Sequence, residues 1–281
     1  MNPKPRHVVN IVPGRPTSDG AGVKLTRVIG GPQLPDLDPF LLLDEFRSND
    51  PGDYIAGFPE HPHRGFETVT YMLAGRMLHG DNQGNEGLLE AGSVQWMTAG
   101  RGILHSEMPE QEDGLLRGFQ LWVNLPAAQK MCHPRYQDIA ATEIPTREPC
   151  PGCEVRVIAG SFESATGPVV AVAAEPVYLD VILQAETSVT IPIPARHNAF
   201  VYCYEGRMGI GADDTETVDA HRLAVLSEGD QVRLSTTGSE SRAIIVAGRP
   251  FGESIARYGP FVMNYREELV EAIDDLRAGR F

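Results

Sequence analysis

Two pairs of side chains constrain the fold of this chain more than any other feature: His61 and His63 in E60-H-P-H-R-G-F-E67, and His105 and Glu107 in T98-A-G-R-G-I-L-H-S-E107. In an extended strand successive side chains point to opposite faces, so residues two apart project together. If the two strands are neighbours and both pairs face inward, three imidazoles and one carboxylate converge on a point, and that is a mononuclear metal site. Glu67 shares the parity of His61 and His63 if the strand runs unbroken. It therefore competes with Glu107 for the carboxylate role, or stands behind the ligands as an outer partner of Arg64 or Arg101. Pro62 cannot donate to a ladder, which places its strand at an edge, a start or a bulge.

The donor set suits one first-row divalent ion. Neutral imidazoles with one glutamate fit Fe(II) with exchangeable positions; Mn, Ni, Co, Cu or Zn can also load. Four protein ligands on a six-coordinate ion leave two positions for water, oxygen or a bidentate substrate. Closed structural zinc prefers a four-ligand tetrahedron, often with thiolates, and no cysteine lies near these residues in sequence. His79 and Asp81 fall in a polar, glycine-rich stretch and read as solvated. His133, His197 and His221 have no paired ligand in sequence and are assigned no function.

The rest of the chain repeats one kind of phrase. Runs such as V23-K-L-T-R-V-I29, T68-V-T-Y-M-L73 and F119-Q-L-W-V-N-L125 are separated by glycine and proline turns, the pattern of an antiparallel sandwich or barrel. With 281 residues the chain has length for two compact domains or one large one. It also echoes itself: Y71-M-L-A-G-R-M77 returns as Y202-C-Y-E-G-R-M208, and E90-A-G-S-V-Q-W-M97 as S227-E-G-D-Q-V-R-L234. The first offset carries His61 onto Pro192, His63 onto Pro194 and Glu67 onto Asn198; the second carries His105 onto Arg242. The sequence thus predicts a duplicated domain whose second copy lacks the ligands. The stretch 141–152, with Pro145, Pro149 and Pro151 and no apolar period, reads as a linker between a metal-binding domain at 1–140 and a second domain at 153–281. The second domain ends in a short amphipathic helix, in which Leu269, Ala272, Ile273 and Leu276 share a face, Asn264 caps and Glu267 reaches back to it.

Charge and cysteine usage exclude several classes. A formal charge of -14 repels nucleic-acid phosphate and anionic lipid, so direct nucleic-acid binding is not expected. No apolar run approaches the roughly 18 residues of a membrane span. The start M-N-P-K-P-R-H7 has basic residues without an apolar stretch behind them, and the expected location is the cytoplasm. Four cysteines are too few for a disulfide framework. Cys150-Pro-Gly-Cys153 has no second pair to make a zinc knuckle and no evident strand before and helix after it to make a redox motif, so it reads as two thiols in a turn.

H61-P-H-R-G-F-E-T-V-T-Y71 and T98-A-G-R-G-I-L-H-S-E107 resemble the two signature stretches of the pirin family, a branch of the cupins. W122-V-N-L-P-A-A-Q-K130, Pro134-Arg-Tyr-Gln-Asp138 and I255-A-R-Y-G-P-F-V-M263 match as well, so the likeness extends over nearly the whole chain. It implies an all-β fold of two tandem antiparallel β-barrels, a bicupin, with a metal in the N-terminal one, usually iron. The family's ligands fall on His61, His63, His105 and Glu107. The general cupin pattern would instead put its glutamate at Glu67 and Pro-x-Gly where this chain has Thr98-Ala-Gly100. The resemblance implies one of two functions. The first is a dioxygenase that cleaves a flavonol such as quercetin with O2, giving a depside and carbon monoxide, with Glu107 or Glu67 as base. The alternative is a non-enzymatic, iron-containing, redox-sensitive regulator that binds a transcription factor or a metabolic enzyme.

Overall fold

A computed structural model describes residues 3–212 and 215–281, so the first two residues of the basic start lie outside the described residues. The chain divides into two compact units, and neither is one continuous stretch.

The unit that holds the paired histidines comprises residues 16–31, 39–141 and 251–281. Its larger sheet has seven strands in the order Arg135–Ile139, Val94–Thr98, Phe66–Ala74, Leu116–Asn124, Phe40–Ser48, Val23–Ile29 and Arg15–Asp19. Its smaller sheet runs Phe58–His63, Ile103–Pro109, Met77–Asp81, Glu86–Leu89. The ladders from Arg135–Ile139 across to Val23–Ile29, and those of the smaller sheet, are antiparallel. Phe58–His63 is an edge strand, one of the three placements that the missing N–H of Pro62 allows. Leu25, Phe46 and Met72 of the larger sheet share one core with Met77 and Leu89 of the smaller, so the sheets face each other.

The other unit comprises residues 1–15, 32–38 and 142–250 and repeats the arrangement. Its seven-stranded sheet runs Val8–Pro13, Arg222–Leu226, Asn198–Glu205, Ser241–Gly248, Val177–Leu183, Cys153–Ala159, Thr146–Arg147; its four-stranded sheet runs Ser188–Pro192, Gln231–Ser235, Arg207–Ile210, Glu216–Asp219. The expected duplication is therefore present strand for strand, but the register of the second echo is not. The place of Ile103–Pro109, between the edge strand and its hairpin, is taken by Gln231–Ser235, not by the segment around Arg242. Its inward residues are Val232 and Leu234, and those of the edge strand region are Ile191 and Ile193, while Pro192 and Pro194 face solvent. Loop lengths differ between the copies, so an offset read in one strand does not survive the next turn. Aliphatic side chains fill the interior where the first unit keeps imidazoles.

The simple division at 140 and 153 misses an exchange of termini. Strand Val8–Pro13 pairs with Arg222–Leu226 and covers what would otherwise be an open sheet edge. Just before it, buried Arg6 donates to the carbonyls of Gly229, Ser227, Pro194 and His197 at 2.9–3.0 Å. In the opposite sense, residues 251–281 belong with the histidine unit. The expected linker is not featureless either: Thr146–Arg147 pairs with Arg156 and Val155 as the outer strand of a sheet. The helix forms at Arg266–Arg277, with Leu269 and Ala272 buried against Phe261 and Met263. Its reciprocal cap lies one residue later than expected, because Glu268, not Glu267, accepts from the backbone N–H groups of Asn264 and Tyr265, both at 2.9 Å.

Candidate metal centre

The Phe58–His63 and Ile103–Pro109 strands lie side by side with His61 directly opposite His105 and His63 opposite Ile103. Alternation then sends His63 and His105 inward, where they are 3% and 1% exposed. The chain must turn sharply after His63. Gly65 takes φ +88°, and a Cβ there would collide with the carbonyl oxygen of Val262.

The three rings meet. Centroid separations are 4.7 Å for His61–His63, 4.4 Å for His61–His105 and 4.9 Å for His63–His105. Their donor atoms all lie within 4.8 Å of one another. His61 donates from Nδ1 to the carbonyl of Pro59 at 2.9 Å, which leaves Nε2 as the lone-pair nitrogen, and this atom is 3.1 Å from Nε2 of His63. Burial holds the His63 and His105 imidazoles well below the ordinary histidine range, and the neighbouring histidines add to the effect. Both rings are thus neutral at pH 7, the form that binds metal.

The residues fit a metal ion on their own chemistry. Neither ring nitrogen of buried His105 has a hydrogen-bond partner among the described residues. Leaving such groups unpaired costs about 1–3 kcal/mol each. A cation held by one nitrogen of each ring would take up one of those of His105, and the 3.1 Å between the facing Nε2 atoms of His61 and His63 matches two neighbouring ligands at about 2.1 Å from one ion.

Glu107 is inward and 4% exposed on the same strand as His105, past a register shift in the ladder. Its carboxylate accepts from Thr70 Oγ1 at 2.9 Å and from Gln120 Nε2 at 3.4 Å, and Nε2 of His79 lies 3.5 Å from it. The structure brings the three imidazoles together as one cluster and holds Glu107 beside it, on the wall of the same cavity. Glu67 is elsewhere. The strand that was to run unbroken stops at His63, and Glu67 belongs to the other sheet, where it accepts from Thr98 Oγ1 at 2.7 Å. It does not line the cavity, Arg64 pairs with Asp275 instead of with it, and burial raises its pKa.

Sequence reasoning missed His79, read as a solvated loop residue. It lies on Met77–Asp81 directly opposite Glu107 and is 2% exposed. The signal was available: His79 shares strand parity with apolar Met77. Thr70, Gln120, Trp122 and Arg257 were missed too, because nothing local marks them.

The cavity in front of the imidazoles measures about 570 Å³, within the range of small-molecule sites. Its walls include Leu42, Phe46, Phe58, Met77 and Trp122. The Trp122 ring stacks on Phe66 at 4.3 Å and meets His63 edge-on at 5.2 Å, and the guanidinium of Arg257 lies 4.8 Å over it. The arrangement can seat a flat, largely apolar ligand with a few oxygens turned toward the histidines.

Residues 22–123 match the family described as Pirin, and residues 178–281 match the Pirin C-terminal cupin domain. A pirin-like protein of Caulobacter vibrioides is 50% identical over 98% of this chain and 99% of its own length. Pirin of Rattus norvegicus is 45% identical over 94% of this chain and 89% of its own. Among solved structures, a quercetin 2,3-dioxygenase from Acinetobacter baumannii superposes with a TM-score of 0.91 at 34% identity, covering 99% of this chain and 98% of that one.

Proposed function

The chain belongs to the pirin family of the cupin superfamily, and from that premise we propose that it is a metal-dependent dioxygenase that cleaves a flavonol such as quercetin with O2. The observation that supports this most is the conjunction of three converging imidazoles, two of them buried and held neutral, with an apolar cavity of about 570 Å³ opening beside them. His61, His63 and His105 would hold the ion, with Glu107 as the fourth ligand or the base; the donor set admits Fe(II), and Mn, Ni, Co, Cu or Zn as well. When bound, the ion supplies Lewis acidity, which lowers the pKa of a hydroxyl within its reach.

The protein's own residues do the rest. Leu42, Phe46, Phe58 and Trp122 exclude water and orient the flat ring system, with its 3-hydroxyl and 4-carbonyl oxygens toward the histidines. Glu107 takes the hydroxyl proton, and Thr70 and Gln120 hold its carboxylate in one orientation while it does so. Ring cleavage by O2 then gives the depside and carbon monoxide. A redox-sensitive regulator is the lesser reading, since a substrate-sized cavity beside the cluster is what a catalyst needs and a surface switch does not.

The test is anaerobic protein reconstituted with Fe(II). It should consume quercetin and release carbon monoxide only after O2 is admitted. Full turnover by a protein carrying His61→Ala and His63→Ala refutes the mechanism.

A further inference from the structure

We propose that Cys150 and Cys153 are a thiol-oxidation site that closes to an intramolecular disulfide on reaction with a small-molecule disulfide, and reopens on reduction. The inference is independent of the metal centre, since both residues belong to the unit whose interior is aliphatic.

Backbone geometry comes first. In Cys150-Pro-Gly-Cys153 the N–H of Cys153 donates to the carbonyl of Cys150 at 3.0 Å, and Gly152 takes φ +80°. Proline second and a left-handed glycine third are what a type II turn asks for, and such a turn keeps its first and fourth Cα atoms within about 7 Å. Disulfides span about 4.4–6.8 Å between Cα atoms, so the turn brings the two cysteines into the range where one can form. The turn is also pinned from outside, because the carbonyl of Gly152 accepts from the N–H of Gln184 at 2.7 Å.

The side chains are placed to match. Both thiols are free, and Cys150 packs on the core cluster that contains Cys153. Access separates their roles. Cys153 is 2% exposed, whereas Cys150 is half-buried and lines an open cavity of about 340 Å³ with Phe162, Glu163 and Thr190. Burial, and then the neighbouring Cys150, push the Cys153 thiol up to about 12, so it keeps its proton at rest. A strand, Cys153–Ala159, follows the turn where a redox-enzyme motif has a helix. No helix dipole stabilises a thiolate here, and the pair accepts oxidation without acting as a strong oxidant.

Access fixes the order of steps. Cys150, as thiolate, attacks one sulfur of the small disulfide; a Cys150 mixed disulfide forms and one small thiolate leaves, taking up the proton Cys150 lost. The Cys153 sulfur then attacks Cys150, breaks the mixed bond and expels the second small thiolate, which leaves with the proton of Cys153. Two protein thiols are oxidised and one small disulfide is reduced to two thiols. The new bond ties the start of the Cys153–Ala159 strand to its own turn, and Cys150 gives up its 3.6 Å contact with the carbonyl of Ser188.

The experiment treats the full chain, reduced and anaerobic, with oxidised glutathione, followed by acid quench, denaturation, alkylation and peptide mass spectrometry. The peptide spanning 150–153 should lose two hydrogens in mass and take up no alkylating reagent, and dithiothreitol should reverse this. Cys153→Ser should stop at a glutathione mixed disulfide on Cys150, and in Cys150→Ser the remaining thiol should react about tenfold more slowly or less. Two results overturn the proposal: wild-type protein that accumulates the mixed disulfide while Cys153 stays alkylatable, or both thiols unchanged under conditions that fully oxidise a free Cys-Pro-Gly-Cys peptide.

Discussion

Thr70 has one hydroxyl proton and two acceptors in reach, Glu107 Oε1 at 2.9 Å and Gln120 Oε1 at 2.7 Å, so hydroxyl, amide and carboxylate form one coupled set at the cavity wall. Thr70→Val keeps the volume and removes the donor. It should lower kcat for quercetin cleavage about 10- to 100-fold with little change in KM, as loss of an outer partner does. An unchanged kcat would show that Thr70 does not position Glu107. At this scale the sequence exposed residues whose partners are two positions away. His61 with His63, and His105 with Glu107, were legible because strand parity is a local rule. For Glu67 the parity reading failed because the rule was carried through Gly65, where the chain turns, and the alternative of a buried acid behind the ligand strands is the one its burial and its bond to Thr98 agree with. Thr70 and Gln120 were invisible because their relation to Glu107 is made across strands.

Elements show the same boundary between local and distant causes. The helix Arg266–Arg277 was legible from its period, but not the side it would serve. Asp275 on that helix pairs with Arg64, the residue after His63, at 2.8 Å, and the Arg64 guanidinium lies 4.4 Å from the centre of the Phe281 ring. Arg64 is 2% exposed, so Asp275→Ala leaves a buried cation without its carboxylate. The expected loss is about 2 kcal/mol, less than for a wholly buried pair because Asp275 keeps a face to solvent. Urea unfolding of both proteins measures it. The pH dependence follows from the direction of the shift: Arg64, and then Arg280, hold the Asp275 carboxyl below its usual range. Stability from the pair is therefore present above the unfolded value of about 3.9 and is lost as pH falls through the lower folded value. The two proteins should converge in strong acid, and a constant difference down to the lowest pH would show that charge is not the cause.

At the scale of the molecule, one strand plan has been used twice with two interiors. The histidine unit keeps a cluster of imidazoles, and the other fills the matching places with Ile191, Val232 and Leu234. Elemental analysis should find one ion per chain, none after His61→Ala and His63→Ala together, and an unchanged ratio in Leu234→Ala. That last variant should still lose about 2–5 kcal/mol of stability through its cavity. Two ions per chain would mean that the aliphatic unit also binds metal. By itself the sequence determined whatever depends on periodicity and on residues near in the chain: strands of alternating burial, the duplication, the same-face pairing of His61 with His63 and of His105 with Glu107, and the helix. Only the tertiary structure decided the inward register of the second copy, the exchange of termini between units and the residues that orient Glu107. Strand pairing joins segments far apart in sequence, and its hydrogen bonds are made by a backbone that is the same at every position. No pattern of side chains along the chain announces which edge a strand will cover.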